Sequence, residues 1–214
     1  MSRRKKKPED GEFLWLVSLS DLMILLFVFF VVLFSFSYKK MSASDLAKMA
    51  AVLNNEDIPK TPIDELQTKL KTVITDKKLT DSVTIEQKDD ALIMHIKDRI
   101  LFSSAEYALS EEGSALILAL GTTLSKVPAP YKIGIEGHTD DVPIRTSHIA
   151  DNWELSSKRA HSILHALTFS DEVLKRVVIM GYGQMSPIVP NRTPAGEPIE
   201  TNQQKNRRVT IRIF

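Results

Sequence analysis

The chain opens with a stretch in which polar positions nearly vanish. From Phe13 to Phe36 it reads FLWLVSLSDLMILLFVFFVVLFSF, broken only by serines and by Asp21. That is about 24 residues, where a helix crossing a hydrocarbon core needs about 20. Beyond it the pattern changes. Leu46, Met49, Ala50 and Leu53 recur at helical spacing, ending at Asn54, Asn55, Asp57 and Pro59. Thr61-Pro62-Ile63-Asp64 is a helix start, with a capping threonine and proline at the first position. Ile63, Leu66, Leu70, Val73 and Ile74 carry that helix toward Lys77. Strand-like alternation follows at Val83 and Ile85 and again at Leu92, Met94 and Ile96, with Asp89-Asp90 between them as a tight turn. Ser110 caps a helix with Leu116, Ile117, Leu120 and Leu124 on its apolar face, closed by Val127-Pro128-Ala129-Pro130. Tyr131, Ile133 and Ile135 form a strand, about 152–167 a helix, 177–180 a strand, 184–205 a loop, and Val209, Ile211 and Ile213 a last strand. Hairpins and crossovers together predict an α/β (α+β) two-layer sandwich with a mixed sheet behind a single N-terminal transmembrane helix.

Charge sets the orientation. Arg3, Arg4, Lys5, Lys6 and Lys7 precede the apolar run, and Lys39 and Lys40 follow it. The positive-inside rule places the N-terminus in the cytoplasm and the bulk of the chain outside. A cleaved signal peptide shares a basic start and an apolar run. Here the run is about twice the length of a signal peptide's, holds a carboxylate, and ends near only a poor cleavage motif, Ser42-Ala43-Ser44. An anchor is the expectation. The net charge of +1 gives no reason to expect nucleic acid, and the absence of cysteine excludes disulfides and thiolate metal sites.

Asp21 is the residue of the span with chemistry. It lies roughly 12 Å into the apolar run, and a carboxylate at such depth costs about 2.5–3.5 kcal/mol on insertion scales. Such groups face partner helices or a water-filled path, so an ion-translocation role and partner helices are expected. A plain wall tether would have no use for the acid.

In the C-terminal half four motifs crowd together: GHTDDVP from Gly137, NWELSSKRA from Asn152, GYGQMSP from Gly181 and NRRV from Asn206. Over about residues 97–214 this pattern resembles the OmpA-like peptidoglycan-binding domains. With the basic tail, Trp15, Ser20-Asp21-Leu22-Met23 and Phe29-Phe30-Val31, nearly the whole chain resembles MotB-type flagellar stator proteins. The resemblance implies a basic tail at 1–12, a membrane helix at 13–37, a plug or linker at 38–62, a helix and hairpin at 63–96 and an OmpA-like domain at 97–214. It implies peptidoglycan contacts by Thr139, Asp140, Asn152, Leu155, Arg159 and Arg207. It also implies a homodimer working with a MotA-type multi-span protein, reaching the rotor through that partner, with H⁺ or Na⁺ transported and no resident cofactor.

The residue chemistry points the same way. A wall stem bearing diaminopimelate presents a zwitterion. Asp140 could accept its ammonium, Arg159 could grip its carboxylate with a guanidinium fork, and the helix start near Asn152 would add N–H groups. Of the Arg207–Arg208 pair, the resemblance favours Arg207, and Asn206 is expected to tie its loop to the site. His138 is expected to be structural. His161 and His165 have a spacing that can hold zinc, but no glutamate completes the motif. No nucleophile set is visible, so no enzyme is expected.

Overall fold

The computed structural model describes residues 11–38, 50–54, 61–88 and 91–214. The chain divides into two compact units, Met1–Pro59 and Lys60–Phe214.

In the first unit α1 runs over Gly11–Tyr38 as 28 helical residues. Its stretch Trp15–Ser35 has a mean hydropathy of 2.7 over 21 residues, with its side chains exposed. That length spans about 31 Å at 1.5 Å per residue, matching a bilayer's hydrocarbon thickness. Large apolar side chains stand out on every side of the helix. A helix apolar all round suits lipid or partner helices, not one-sided packing. Residues 50–53 are helical; the rest of the expected 41–53 stripe lies outside the described residues, as do the basic tail and Asp89-Asp90.

The second unit begins with α2, Pro62–Asp76. Thr61 Oγ1 accepts from the Asp64 amide, and the Asp64 carboxylate accepts from the Thr61 amide at 2.9 Å, a full capping box. The remaining elements are β1 (Val83–Lys88), β2 (Ala91–Lys97), α3 (Asp98–Leu101), α4 (Glu111–Leu124), β3 (Ile133–His138), α5 (Asn152–Ala166), α6 (Asp171–Leu174), β4 (Val177–Gly181), α7 (Glu200–Asn206) and β5 (Arg208–Ile213). The sheet order is β1-β2-β5-β3-β4. Only β3 and β4 run parallel, and α5 lies in the connection between them.

Register explains the layering. Leu92, Met94 and Ile96 of β2 align with Ile213, Ile211 and Val209 of β5, which align in turn with Ile133, Ile135 and Gly137 of β3. These apolar rows form one core with Leu66 and Leu70 of α2, Leu116, Ile117, Leu120 and Leu124 of α4, and Ile163 of α5. The expected mixed sheet and two-layer packing are what the fold shows. Three elements were not expected. α3 and α6 are single turns. α7 falls inside the stretch read as loop, because its sequence ETNQQKN has no apolar periodicity. Polar bonds hold it: Gln203 Nε2 donates to Asp141 Oδ1 at 2.9 Å, and Asn206 is fully buried.

The site's geometry depends on how closely α5 approaches the sheet. A Cβ on Gly137 would lie 2.0 Å from the Ser156 carbonyl oxygen, and one on Gly181 would lie 2.1 Å from Ser157 Oγ. Both strand ends are bare so that the helix backbone can rest on them. Ser156 Oγ accepts from the Gly183 amide at 3.0 Å, and Gly183 O accepts from the Thr139 amide at 2.9 Å, stitching both strand ends to the helix. Gly137→Ala is expected to destabilise the folded unit by about 3 kcal/mol, because the clashing atom is backbone. That corresponds to a Tm lowered by roughly 6–12 °C for a domain of this size, measured by circular dichroism on the detergent-solubilised chain.

Candidate functional site: a charged cleft above β3 and α5

The C-terminal end of β3, the start of α5, α3 with the turn after it, and the start of β5 surround a cleft of about 1160 Å³. Its lining includes Thr139, Asp140, Asn152, Leu155, Arg159 and Arg207, the six residues singled out from sequence for this domain. It also includes Asp98, Arg99 and Phe102, which were not.

Two ion pairs organise the cleft. Arg159 Nη1 lies 3.0 Å from Asp98 Oδ1, with the arginine 3% and the acid 13% exposed. Arg159 Nε donates to the Glu106 carbonyl at 2.8 Å, and its guanidinium stacks over the Phe102 ring at 5.0 Å. The second pair joins Arg207 Nη1 to Asp140 Oδ2. Asp140 Oδ1 accepts from the Val142 amide at 3.1 Å. Burial pushes the Asp98 carboxyl above the usual range despite the attraction of Arg159 and Arg207. Burial likewise pulls Arg159 below the usual arginine value, opposed by Asp98. Both directions mark a desolvated pair that a polar ligand could relieve.

The structure modifies three expectations. The Arg159 fork is not wholly free: Nε is engaged by the Glu106 carbonyl and Nη1 by Asp98. The start of α5 is not an open anion site, since Asp151 Oδ1 accepts from the Glu154 amide at 2.8 Å and Glu154 Oε2 accepts from Ala150 at 2.7 Å. Asn152 acts as a brace, its Nδ2 donating to the Val142 carbonyl at 2.9 Å and to Gln184 Oε1 at 3.1 Å. Asn206 does tie its loop: Oδ1 accepts from Ile188 at 2.9 Å, and Nδ2 donates to Val189 O at 2.8 Å. Asp98 was missed because its signal, an acid at a strand end, is common; only the fold brings it to Arg159.

Arg207 faces the cleft while its neighbour Arg208 is buried, with Nη1 on Asn206 O at 3.2 Å and Nη2 on Ser186 O at 3.1 Å. Burial lowers Arg208 to about 10. Its row across the sheet includes Lys97 and His138. His138 stacks on Tyr182 at 5.1 Å and approaches Glu136 Oε2 at 3.5 Å, yet neither ring nitrogen has a well-formed hydrogen bond. His161 and His165 meet edge-on at 4.3 Å, and no group of three potential ligands gathers for a metal among the described residues.

Residues 101–211 match the OmpA family, and residues 2–56 match the family described as the membrane MotB of the proton-channel complex MotA/MotB. Motility protein B of Bacillus subtilis is 26% identical over 258 residues, covering 100% of this chain and 96% of its own. An uncharacterised Bacillus subtilis protein, YtxE, is 28% identical over 93% of this chain and 87% of its own. A MotB-like protein from Desulfovibrio vulgaris shares the fold at TM-score 0.60 and 21% identity, covering 70% of this chain and 91% of that one. The cell wall anchor of the T6SS from Pseudomonas aeruginosa reaches 0.57 at 27% identity, covering 68% and 96%. The chain therefore belongs to the OmpA family. With the N-terminal match and the full-length likeness to Motility protein B, it is a MotB-type stator protein.

The buried row beneath the cleft makes a pH prediction. Burial, aided by Arg208, holds the His138 pKa below its ordinary 6.5 against the pull of Glu136. The folded state therefore binds fewer protons at His138 than the unfolded chain does, so its contribution is present above pH 6.5 and declines as pH falls through the folded value. Burial would raise Glu136, but His138 and Arg212 outweigh it and hold the carboxyl low, so its contribution is lost only below its ordinary 4.5. Tm measured against pH should fall as pH drops below the ordinary imidazole value of 6.5 in the parent and stay flatter there in His138→Gln.

Proposed function

We propose that this chain is the wall-anchored, ion-conducting subunit of a flagellar-type motor stator, a single-pass inner-membrane protein with a periplasmic C-terminal domain. One observation carries the reading: a lone-carboxylate membrane helix and a zwitterion-matched charged cleft occur in the same chain. Asp21 sits six residues past Trp15 in α1. In two copies, flanked by a MotA-type multi-span partner, its carboxylate would bind an incoming H⁺ or Na⁺ and release it to the cytoplasm. One charge crossing the membrane potential releases about 2.3 kcal/mol per 100 mV, comparable with the bias needed to shift a two-state conformation. The rotor would be reached through the partner, and the wall would take the reaction force.

At the wall, a stem-peptide ammonium would share Asp140 and Asp98, and its carboxylate would reach Arg159 and Arg207. Two acids and two arginines already neutralise each other, so a ligand carrying one charge of each sign replaces paired contacts without adding net charge. Thr139, Leu155 and Asn152 complete the lining of the cleft. The likeness to a secretion-system wall anchor supports a second reading, a stator or anchor of another envelope machine. Motility separates the two.

Asp21→Asn is expected to abolish swimming while the protein still reaches the membrane and binds wall, and Asp21→Glu is expected to retain part of the speed. Swimming assays beside membrane fractionation check this, and normal swimming by the Asn variant overturns the channel role. Asp140→Ala and Arg159→Ala should each weaken co-sedimentation of the detergent-solubilised chain with purified sacculi by about ten-fold or more, since charge-assisted bonds contribute about 1.5–3 kcal/mol. Arg159→Lys should recover only part of it. Folded variants that sediment like the parent would place the wall site elsewhere.

A further inference from the structure

A second groove of about 410 Å³ opens beside the charged cleft, and Asp98, Arg99 and Arg207 line both. One wall is the β2–α3 junction, Lys97-Asp98-Arg99; the other is α7 with Thr201, Gln204 and Lys205. Those three α7 positions are spaced i, i+3 and i+4, so they share one helix face. The groove sets four cations against one carboxylate, and that carboxylate is committed to Arg159. Arg207 is committed to Asp140. Lys97, Arg99 and Lys205 make no ion pair among the described residues. Three cations without an ion pair among the described residues, on converging walls beside a cleft whose two ion pairs balance, form a local positive field directed at whatever leaves that cleft.

We infer that this groove is a second subsite for the wall polymer, taking an anionic group, a carboxylate or a phosphate, that lies beyond the zwitterion held by Asp140 and Arg159. The inference rests on the wall-binding reading of the first cleft and extends it. The first cleft selects a pair of opposite charges at fixed separation. The second adds affinity by long-range attraction, and Thr201 and Gln204 supply neutral hydrogen-bonding groups for the hydroxyls or amides of the same strand. The cations are exposed or half-buried, so their contribution is screened by salt, whereas the buried pairs of the first cleft are screened much less.

The test compares the detergent-solubilised full chain with a Lys97→Gln/Arg99→Gln/Lys205→Gln chain for co-sedimentation with purified sacculi at about 50 mM and about 300 mM salt, either side of the ionic strength where the screening length is about 10 Å. The triple variant should bind about ten-fold more weakly at low salt, with the gap closing at high salt. A charge-keeping chain, Lys97→Arg/Arg99→Lys/Lys205→Arg, should bind like the parent. Sacculi stripped of phosphodiester-linked polymers by hydrofluoric acid separate the sources: a gap that persists assigns the groove to carboxylates, and a gap that collapses assigns it to phosphates. If the triple variant sediments like the parent at low salt while Asp140→Ala fails to, the second subsite is overturned and the first stands. If Asp140→Ala also sediments like the parent, the wall-binding reading falls and this inference with it.

Discussion

The approach of α5 to the ends of β3 and β4 is the contact on which the rest of the site depends. A helix backbone can touch a strand only where no side chain intervenes, and Gly137 and Gly181 provide two such places. That proximity puts Ser156 within reach of the Gly183 amide and brings Arg159, two turns into α5, toward the elements around Thr139 and Asp140. Displacing the helix by the width of a methyl group would shift the Arg159 guanidinium relative to the Asp140 carboxylate. Two residues with no side chain therefore set the position of the charged ones.

The cleft's electrostatics follow from burial. Single charges so poorly hydrated would be costly, and Arg159 and Arg207 each meet an acid, Asp98 and Asp140. The pairing stores the site in a neutral form without a ligand and offers a ligand of the same charge pattern an equivalent exchange. Under the proposed function this would act as a selectivity device more than a source of affinity, since a simple anion or cation would leave one partner unmatched. The row on the opposite sheet face obeys the same physics with less success: His138 and Arg208 are buried with nitrogens lacking partners, and both titrate low for that reason. The acid sensitivity expected of the domain would originate there, next to the strand end that bears the cleft.

The two ends of the proposed machine share a strategy. Asp21 in an apolar helix and the Asp98–Arg159 pair in the cleft are each ionisable groups placed where water solvates them poorly. Under the proposed function, the lone carboxylate would take a mobile cation among partner helices, and the pair in the C-terminal domain would take a zwitterion.

Local pattern alone determined the apolar N-terminal helix, the helix caps and the alternating strands, because apolar periodicity and cap chemistry act between near neighbours along the chain. Thr61, Asp64 and Ser110 behave as their spacing requires. The motif residues Asp140, Asn152, Arg159 and Arg207 were also legible, through resemblance. The partner of each charge was not. Asp98 meets Arg159 across 61 positions and Arg207 meets Asp140 across 67, and no periodic signal encodes such pairings. The polar helix α7 was invisible for a related reason: Gln203 and Asn206 are buried by hydrogen bonds to distant loops, so its stability comes from the folded surroundings and not from its own seven residues. Tertiary structure alone decided that Arg159 is half engaged, that the start of α5 is closed by its own acids, and that three cations without an ion pair among the described residues line a groove beside the cleft.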